Sequence, residues 1–189
     1  MIDGYIYLQT KASLKFHNII YIKKGRKMRL ENIYEEKLFS KGTTGMLAPI
    51  TIVFLSILFY QIFIGPIGNR PAPNGFFLIM FLLCLFLTIN FSNLIIRMTS
   101  QFISVSYGIF KYTVLWKNIS DCYLDEASTI RYGGWGIRIG RAKRRWRLVY
   151  NVMWGPRVVL SLKKGKFGEF VFSTGDPKRV IGIVKQKVG

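Results

Sequence analysis

Two stretches of this chain, MLAPITIVFLSILFYQIFI at residues 46–64 and FFLIMFLLCLFLTINFSNLII at residues 76–96, contain no Asp, Glu, Lys or Arg. Because an α-helix rises about 1.5 Å per residue, helices of this length span roughly 28 to 32 Å, which is close to the hydrocarbon thickness of a bilayer. Core helices of soluble proteins are usually shorter and keep a polar stripe, and neither stretch has one. The sequence therefore predicts two transmembrane helices.

The connection between these stretches, residues 65–75, contains three prolines and three glycines. Proline interrupts a helix because it lacks the backbone N–H and its ring clashes with the preceding turn. A short breaking segment between two spans predicts an antiparallel helical hairpin.

The basic residues are distributed unevenly around this hairpin. Residues 1–45 hold nine Lys and Arg against four Asp and Glu, residues 46–96 hold Arg70 as their one charged residue, and residues 97–189 hold eighteen against five. Basic segments next to membrane spans tend to stay in the cytoplasm. We therefore expect a multi-pass protein of the cell membrane, with both termini cytoplasmic and the 65–75 loop external.

The N-terminal segment, residues 1–45, is basic and expected on the cytoplasmic side. Residues 1–27 lack the continuous apolar core and cleavage site of a secretory signal. One hypothesis is that Met28 is the true start and that residues 1–27 are a mis-assigned extension. From Met28, apolar residues recur near helical spacing, which predicts a helix within residues 28–45 that lies at the membrane interface. Its apolar positions are Leu30, Ile33, Tyr34 and Leu38.

Residues 97–189 are expected to form one cytoplasmic domain made mostly of strands. ISVSYGIFKYTVLW at residues 103–116 gives two alternating runs joined at Tyr107-Gly108, and LVYNVM, RVVLSL and FGEFVFS give further strands, with a turn at Gly165. Asp176 before Pro177 is typical of a helix start, because Asp caps free backbone N–H groups and proline fits the first helical position. Strands closed by one C-terminal helix predict a pleckstrin-homology-like barrel.

Several of these residues also carry a resemblance to a known group. RYGGWGIRI at residues 131–139, Tyr150-Asn151-Val152, the turn at Gly165 and the segment from Ser173 to Pro177 resemble bacterial and archaeal pleckstrin-homology-like domain membrane proteins, which are largely uncharacterised. The resemblance implies a two-helix transmembrane hairpin followed by a β-rich barrel of two antiparallel sheets, closed by a C-terminal α-helix. Its structural motif residues are Gly133, Gly134, Trp135, Gly136, Asp176 and Pro177. The glycines lack the pattern of a phosphate loop and are expected to permit a positive φ or a bulge.

The strongest candidate for binding is the stretch RIGRAKRRWRL at residues 138–148, which has no acidic residue. Next to an anionic leaflet each Lys or Arg contributes roughly 1 kcal/mol, and Trp favours the headgroup level. The stretch therefore predicts binding to anionic lipid headgroups or to a protein partner. Two alternatives remain: a solvated loop that only enforces topology, and a nucleic-acid surface. The candidate residues are Arg138, Arg141, Lys143, Arg144, Arg145, Trp146 and Arg147.

The sequence does not indicate an enzyme, a cofactor or a metal site. His17 is the only histidine, so no Cys/His metal site can be assembled, and Cys84 and Cys122 are expected to be separate free thiols. The five acids after residue 97 suggest no general acid/base pair. Asn90 is expected either to contact another helix, within an oligomer, or simply to lie near the interface.

Two functions are therefore expected from the sequence. The favoured one is a non-enzymatic integral membrane protein whose cytoplasmic domain acts as an interaction module at the inner membrane surface, binding anionic lipids or a protein partner. The alternative is a membrane-tethered nucleic-acid-binding protein that uses the basic cluster at residues 138–147, with Trp146 and Tyr150 as stacking groups.

Overall fold

The computed structural model describes residues 20–23, 26–29, 32–126, 134–142 and 145–188. Within them, eleven strands, three α-helices and one short 3₁₀ turn occur. In chain order these are β1 (Ile20–Lys23), β2 (Arg26–Arg29), β3 (Asn32–Phe39), α1 (Lys41–Phe63), α2 (Asn74–Phe91), β4 (Asn93–Thr99), β5 (Phe102–Tyr107), β6 (Phe110–Leu115), the 3₁₀ turn (Trp116–Asn118), β7 (Ile119–Leu124), β8 (Gly136–Ala142), β9 (Arg145–Asn151), β10 (Arg157–Leu162), β11 (Glu169–Ser173) and α3 (Pro177–Val188).

The helices α1 and α2 form the predicted hairpin, and both are long and apolar enough to cross a membrane. Only 17% of the most apolar window of α1 and 6% of that of α2 is buried, whereas a core helix of a soluble protein is mostly buried. The two helices are linked by Thr51 and Thr88, whose hydroxyl oxygens lie 3.2 Å apart.

This hairpin is inserted into a four-stranded antiparallel sheet of order β3-β4-β5-β6. Strand β3 precedes α1, strand β4 follows α2, and the two strands pair along their length down to Phe39 opposite Asn93. The backbone N–H of Ser40 donates to the carbonyl oxygen of Ser92 at 2.8 Å, which closes the base of the hairpin. The domain is therefore built from chain on both sides of the helices.

The predicted bounds of two helices are wrong, because strands of the domain begin and end closer to the hairpin than the sequence indicated. The segment predicted as an interfacial helix within residues 28–45 contains strand β3, in which Tyr34, Glu36 and Leu38 alternate toward the interior, and α1 already begins at Lys41. The second apolar stretch was expected to be helical to Ile96, but α2 ends at Phe91 and the remainder enters β4. Period-2 alternation and pairing with a neighbouring strand outweigh the helical pattern in both places.

The second sheet has five strands in the order β7-β10-β11-β9-β8. The hairpin of β10 and β11 lies between β7 and β9, so β9 neighbours β11 and runs parallel to it. The expectation of two antiparallel sheets is therefore wrong for this pair, and the sheet is mixed. Among the described strands no pairing joins the two sheets, so the expected barrel is not closed.

The main hydrophobic core lies between the two sheets. Tyr107 from the first sheet and Tyr150 from the second have ring centroids 6.1 Å apart, and the Tyr107 hydroxyl donates to the carbonyl oxygen of Asn151 at 2.9 Å. Burial raises the pKa of Tyr107 to about 12. Fully buried large side chains of this core are Tyr107, Phe170, Phe172, Leu94, Ile96, Met98, Ile103, Ile119 and Leu160.

The C-terminal helix α3 was predicted and is confirmed. Asp176 caps it, because its carboxylate accepts a hydrogen bond from the N–H of Arg179 at 3.1 Å, and Pro177 occupies the first helical position. Val180 and Val184 are buried against the sheets.

Glu36 ties β3 to the turn that precedes α3. Its carboxylate accepts hydrogen bonds from the Tyr34 hydroxyl at 2.8 Å, the Thr174 hydroxyl at 2.6 Å and the N–H of Gly175 at 2.6 Å. Burial and the neighbouring Glu36 carboxylate raise the pKa of Tyr34 to about 12. The strand before the hairpin is therefore fastened to the C-terminal part of the domain.

Candidate partner-binding surface

The two ends of the domain differ in what they contact, and we name them by the helices. The proximal end is where β3 and β4 join α1 and α2. The β5–β6 turn also reaches it, because the N–H of Ile109 donates to Asn90 Oδ1 at 3.1 Å. So does the segment after β9, where Met153 packs against Gly42 of α1. The far end is the opposite end of the same strands.

The basic stretch predicted from sequence forms the hairpin of β8 and β9, which runs from the proximal end to the far end. Gly136 pairs with Asn151 near the helices, and Ala142 pairs with Arg145 at the other end. At about 3.3 Å per residue, these two pairs lie roughly 20 Å apart along the strands. The predicted binding residues are therefore distributed along the sheet instead of forming one patch.

Arg138 is separated from the rest of the stretch and lies toward the proximal end. Its Nε donates to the carbonyl oxygen of Trp135 at 3.3 Å. The two residues line a groove of about 310 Å³ whose other wall belongs to the first turns of α1. The groove is lined by Thr43, Met46, Leu47, Ile50, Phe91, Trp135, Gly136, Ile137 and Arg138.

Arg147 was predicted to bind a ligand, but its guanidinium is paired with another side chain of the domain. It is 9% exposed and forms an ion pair with Glu169 on the neighbouring strand β11. Tyr123 also donates a hydrogen bond to the Glu169 carboxylate at 3.3 Å. Because withdrawing Arg147 from this pair would leave the Glu169 carboxylate buried without its counter-charge, we remove Arg147 from the candidate surface.

Arg141 and Trp146 form a pair at the far end. They lie opposite each other on β8 and β9, and the Arg141 guanidinium carbon is 5.9 Å from the Trp146 ring centroid. A cation above an aromatic ring at this distance is attracted by the ring. Trp146 is nonetheless 54% exposed, so most of the pair faces solvent.

Sequence reasoning missed the lysines that join this pair at the far end. The β10–β11 turn is fixed on one side by Asn118, whose side chain bonds to both the N–H and the carbonyl oxygen of Lys164. On the other side the N–H of Gly168 donates to the carbonyl oxygen of Trp146 at 2.9 Å. These contacts bring three chain segments into one surface, which we call the far-end surface. Its residues are Lys117, Arg141, Arg145, Trp146, Lys163, Lys164 and Lys166, all exposed.

The far-end surface carries six positive charges. Among the described residues, none of these six cations forms an ion pair, since the described ion pairs are Arg97–Glu35, Arg147–Glu169 and Arg157–Asp125. Lys143 and Arg144, which the sequence also predicted as binding residues, lie outside the described residues. The exposed charge is therefore not neutralised within this part of the molecule.

The glycines of the motif at residues 133–136 have the predicted conformational role. Gly134 has φ +107° and Gly136 has φ +88°, values that side chains disfavour. The carbonyl oxygen of Gly134 accepts a hydrogen bond from the Asn151 side chain at 2.9 Å. Trp135 is partly buried, and Gly133 lies outside the described residues.

Asn90 contacts a turn of the sheet instead of a neighbouring helix of the same chain. Its Nδ2 donates to the carbonyl oxygen of Phe86 at 2.9 Å, and its Oδ1 accepts from Ile109. The side chain is 7% exposed. Within the chain the predicted helix–helix contact is therefore replaced by a junction between α2 and the β5–β6 turn, while a contact with a second copy stays a prediction.

Groups with catalytic or metal-binding potential are sparse in the described residues. No cluster of three or more His, Cys, Asp or Glu there could hold a metal ion. Burial raises the pKa of Cys122 to about 12, so its thiol stays protonated at neutral pH. Asp125 and Glu169 are both engaged in ion pairs.

Comparison with family models, curated proteins and solved structures found no match to this chain. The resemblance to pleckstrin-homology-like membrane proteins therefore stays a prediction. The structure itself defines the class: a domain of two packed sheets and a C-terminal helix. An apolar helical hairpin is inserted between β3 and β4, the first two strands of the four-stranded sheet.

Proposed function

We propose that this protein is a non-enzymatic, membrane-anchored interaction module. In this proposal α1 and α2 cross the cell membrane, the two-sheet domain lies on the cytoplasmic side, and the far-end surface binds an acidic protein partner. The charge distribution supports the orientation, because both segments outside the hairpin are strongly basic.

The observation that carries the proposal is the position of the far-end surface. Its cations sit at the ends of strands that lead away from the helices, and Trp146 is exposed beside Arg141. A surface placed there faces molecules in the cytoplasm more readily than the headgroups of the membrane that anchors it. Aromatic and Arg side chains are enriched where protein interfaces bind most tightly.

A nucleic-acid partner is the second candidate, and the Arg141–Trp146 pair is the observation that favours it. Bases stack on exposed aromatic rings, and stacking of one base is worth about 1–3 kcal/mol. Basic side chains around such a ring would contact the phosphates.

Anionic lipid headgroups, which the sequence suggested for the whole basic stretch, are proposed only for Arg138. This residue lies beside the first turns of α1, in the groove that opens between the helix and β8. A guanidinium donates paired hydrogen bonds to phosphate oxygens, so it suits a headgroup at this position.

The test uses the full chain in nanodiscs of neutral phosphatidylcholine, with two labelled probes measured by fluorescence anisotropy. Poly-glutamate presents carboxylates without bases, and an oligo-thymidine presents both phosphates and bases. We expect the double variant Arg141→Gln with Lys164→Gln to bind poly-glutamate more weakly than the native chain. The matched control is Lys37→Gln with Lys178→Gln, which removes the same charge from exposed positions outside the far-end surface.

Three outcomes separate the candidates. If the control variant loses as much affinity as the far-end variant, binding reflects net charge and the proposed surface is wrong. If Trp146→Ala weakens oligo-thymidine binding by about tenfold while poly-glutamate binding is unchanged, base stacking is present and the nucleic-acid candidate replaces the protein partner. If neither probe binds at low salt, both candidates fail.

A further inference from the structure

The proximal end of the domain exposes large apolar side chains on three separate segments. Phe39 ends β3 and is 53% exposed, Ile109 in the β5–β6 turn is 68% exposed, Phe110 beside it is 41% exposed, and Trp154 after β9 is 85% exposed. We call these four residues the proximal rim. Exposed apolar residues gathered at one end of a domain usually mark an interaction site.

Each segment of the rim is held directly against the base of the helical hairpin. Phe39 lies two residues before the start of α1, and Phe110 stacks on Phe91 at the end of α2 with ring centroids 5.6 Å apart. Ile109 donates its N–H to Asn90 on the last turn of α2. The rim is therefore continuous with the apolar surface of the two helices.

Trp154 is the most exposed member of the rim, and its backbone conformation is unusual. It has φ 59°, and it is the one described residue other than glycine with a positive φ. Its neighbour Met153 packs on the first turn of α1, where a Cβ added to Gly42 would lie 2.8 Å from the Met153 sulfur. Strained residues cluster at functional sites, and an indole that is 85% exposed leaves a large apolar ring in water unless it contacts another surface.

We propose that the proximal rim inserts into the headgroup region of the bilayer around the base of the hairpin, with Trp154 as its main anchor. The inference rests on the proposed function, because it requires that α1 and α2 cross the membrane. Trp is the residue that most favours the boundary between headgroups and acyl chains, since its ring is apolar and its N–H is polar. Insertion at three points fixes the domain against the membrane and leaves the far-end surface pointing away from it.

The test compares two indoles in the full chain reconstituted into nanodiscs. The chain has four Trp residues, and Trp116 is buried in the core and is retained throughout. The variant Trp135→Phe with Trp146→Phe keeps Trp154 as its exposed indole. The variant Trp135→Phe with Trp154→Phe keeps Trp146 at the far end and serves as the matched control. Brominated phosphatidylcholine quenches indoles in the bilayer, and acrylamide quenches those in water.

We expect the Trp154 variant to lose most of its Trp154 emission to brominated lipid and to resist acrylamide, with emission shifted to shorter wavelength. The Trp146 control should show the reverse. Equal acrylamide quenching in both variants, with no effect of brominated lipid on Trp154, would overturn the proposal. Failure of the chain to enter nanodiscs at all contradicts the membrane anchor instead, so the two failures are distinguishable.

Discussion

Gly108 offers the sharpest test of how the helical hairpin is joined to the sheet. It lies in the β5–β6 turn with φ +49°, and a Cβ added there would lie 2.9 Å from the Cα of Asn90 and closer still to the Asn90 side-chain oxygen. The backbone of Asn90 can make room for this Cβ only if α2 moves away from the turn. We therefore expect Gly108→Ala to separate two elements that native packing holds in contact.

The expected cost of Gly108→Ala has three parts. A left-handed backbone costs a residue with a Cβ about 1 kcal/mol, forced overpacking costs about 1–3 kcal/mol, and loss of the hydrogen bond from Ile109 to Asn90 costs about 1 kcal/mol. The free energy of unfolding should fall by roughly 3–5 kcal/mol. At about 2–4 °C per kcal/mol for a chain of this size, the thermal midpoint should fall by roughly 10 °C.

The assay is thermal unfolding of the full chain in mild detergent, followed by Trp fluorescence. The matched control is Gly68→Ala, which has a positive φ of +78°, closer to the left-handed region, and whose added Cβ has no neighbour within 4 Å. This control should lose stability through its backbone conformation alone, without a steric clash. Equal midpoints for the two variants would refute the reasoning, because the close approach to Asn90 would then carry no energy of its own.

Two further outcomes follow from the described hydrogen bonds. Glu36→Gln should lower the free energy of unfolding by about 1–3 kcal/mol, because the Glu36 carboxylate accepts three hydrogen bonds. The control Glu35→Gln removes an ion pair that is about 30% exposed and should cost less than about 1 kcal/mol. Similar losses for the two variants in chemical denaturation would contradict this account. Burial raises the pKa of Tyr107 to about 12, so between about pH 10 and 12 the unfolded state releases this proton while the folded state keeps it, and stability should fall as the pH rises. Tyr107→Phe, which also loses the hydrogen bond to Asn151, should be less stable than the native chain at pH 8 but lose less stability above pH 10; parallel pH profiles of the two proteins would count against this assignment.

The parts of the fold that follow from local pattern were predictable from the sequence. The absence of charge at residues 46–64 gives α1, Tyr107-Gly108 gives the β5–β6 turn, and Asp176-Pro177 gives the start of α3. Pairing over long distances was not predictable. Tyr34 and Leu38 fit a helical period as well as a strand period, and only the partner strand β4, which lies after the hairpin, decides between them.

The far-end surface was also predictable only in part from the sequence. The richness of basic residues around Trp146 was visible in the sequence, but the burial of Arg147 depends on Glu169, which lies 22 residues away. The sequence also identified the turn at Lys163–Lys166 without linking it to Lys117 or Arg145. These segments meet only because β10 and β11 insert between β7 and β9, which is a property of the sheet order.

The pairing of β3 with β4 across the helical hairpin sets an order for assembly. The partners Phe39 and Asn93 are separated by the whole hairpin, so during synthesis β3 leaves the ribosome long before its partner exists. Closing so long a segment of flexible chain has an entropic cost, but two packed helices bring Ser40 and Ser92 together beforehand, and the strands then pair as in a short β-hairpin. Pairing of β3 with β4 therefore depends on the two helices having already packed together. In a protein anchored as proposed, the sheet would form only after the helices had entered the membrane.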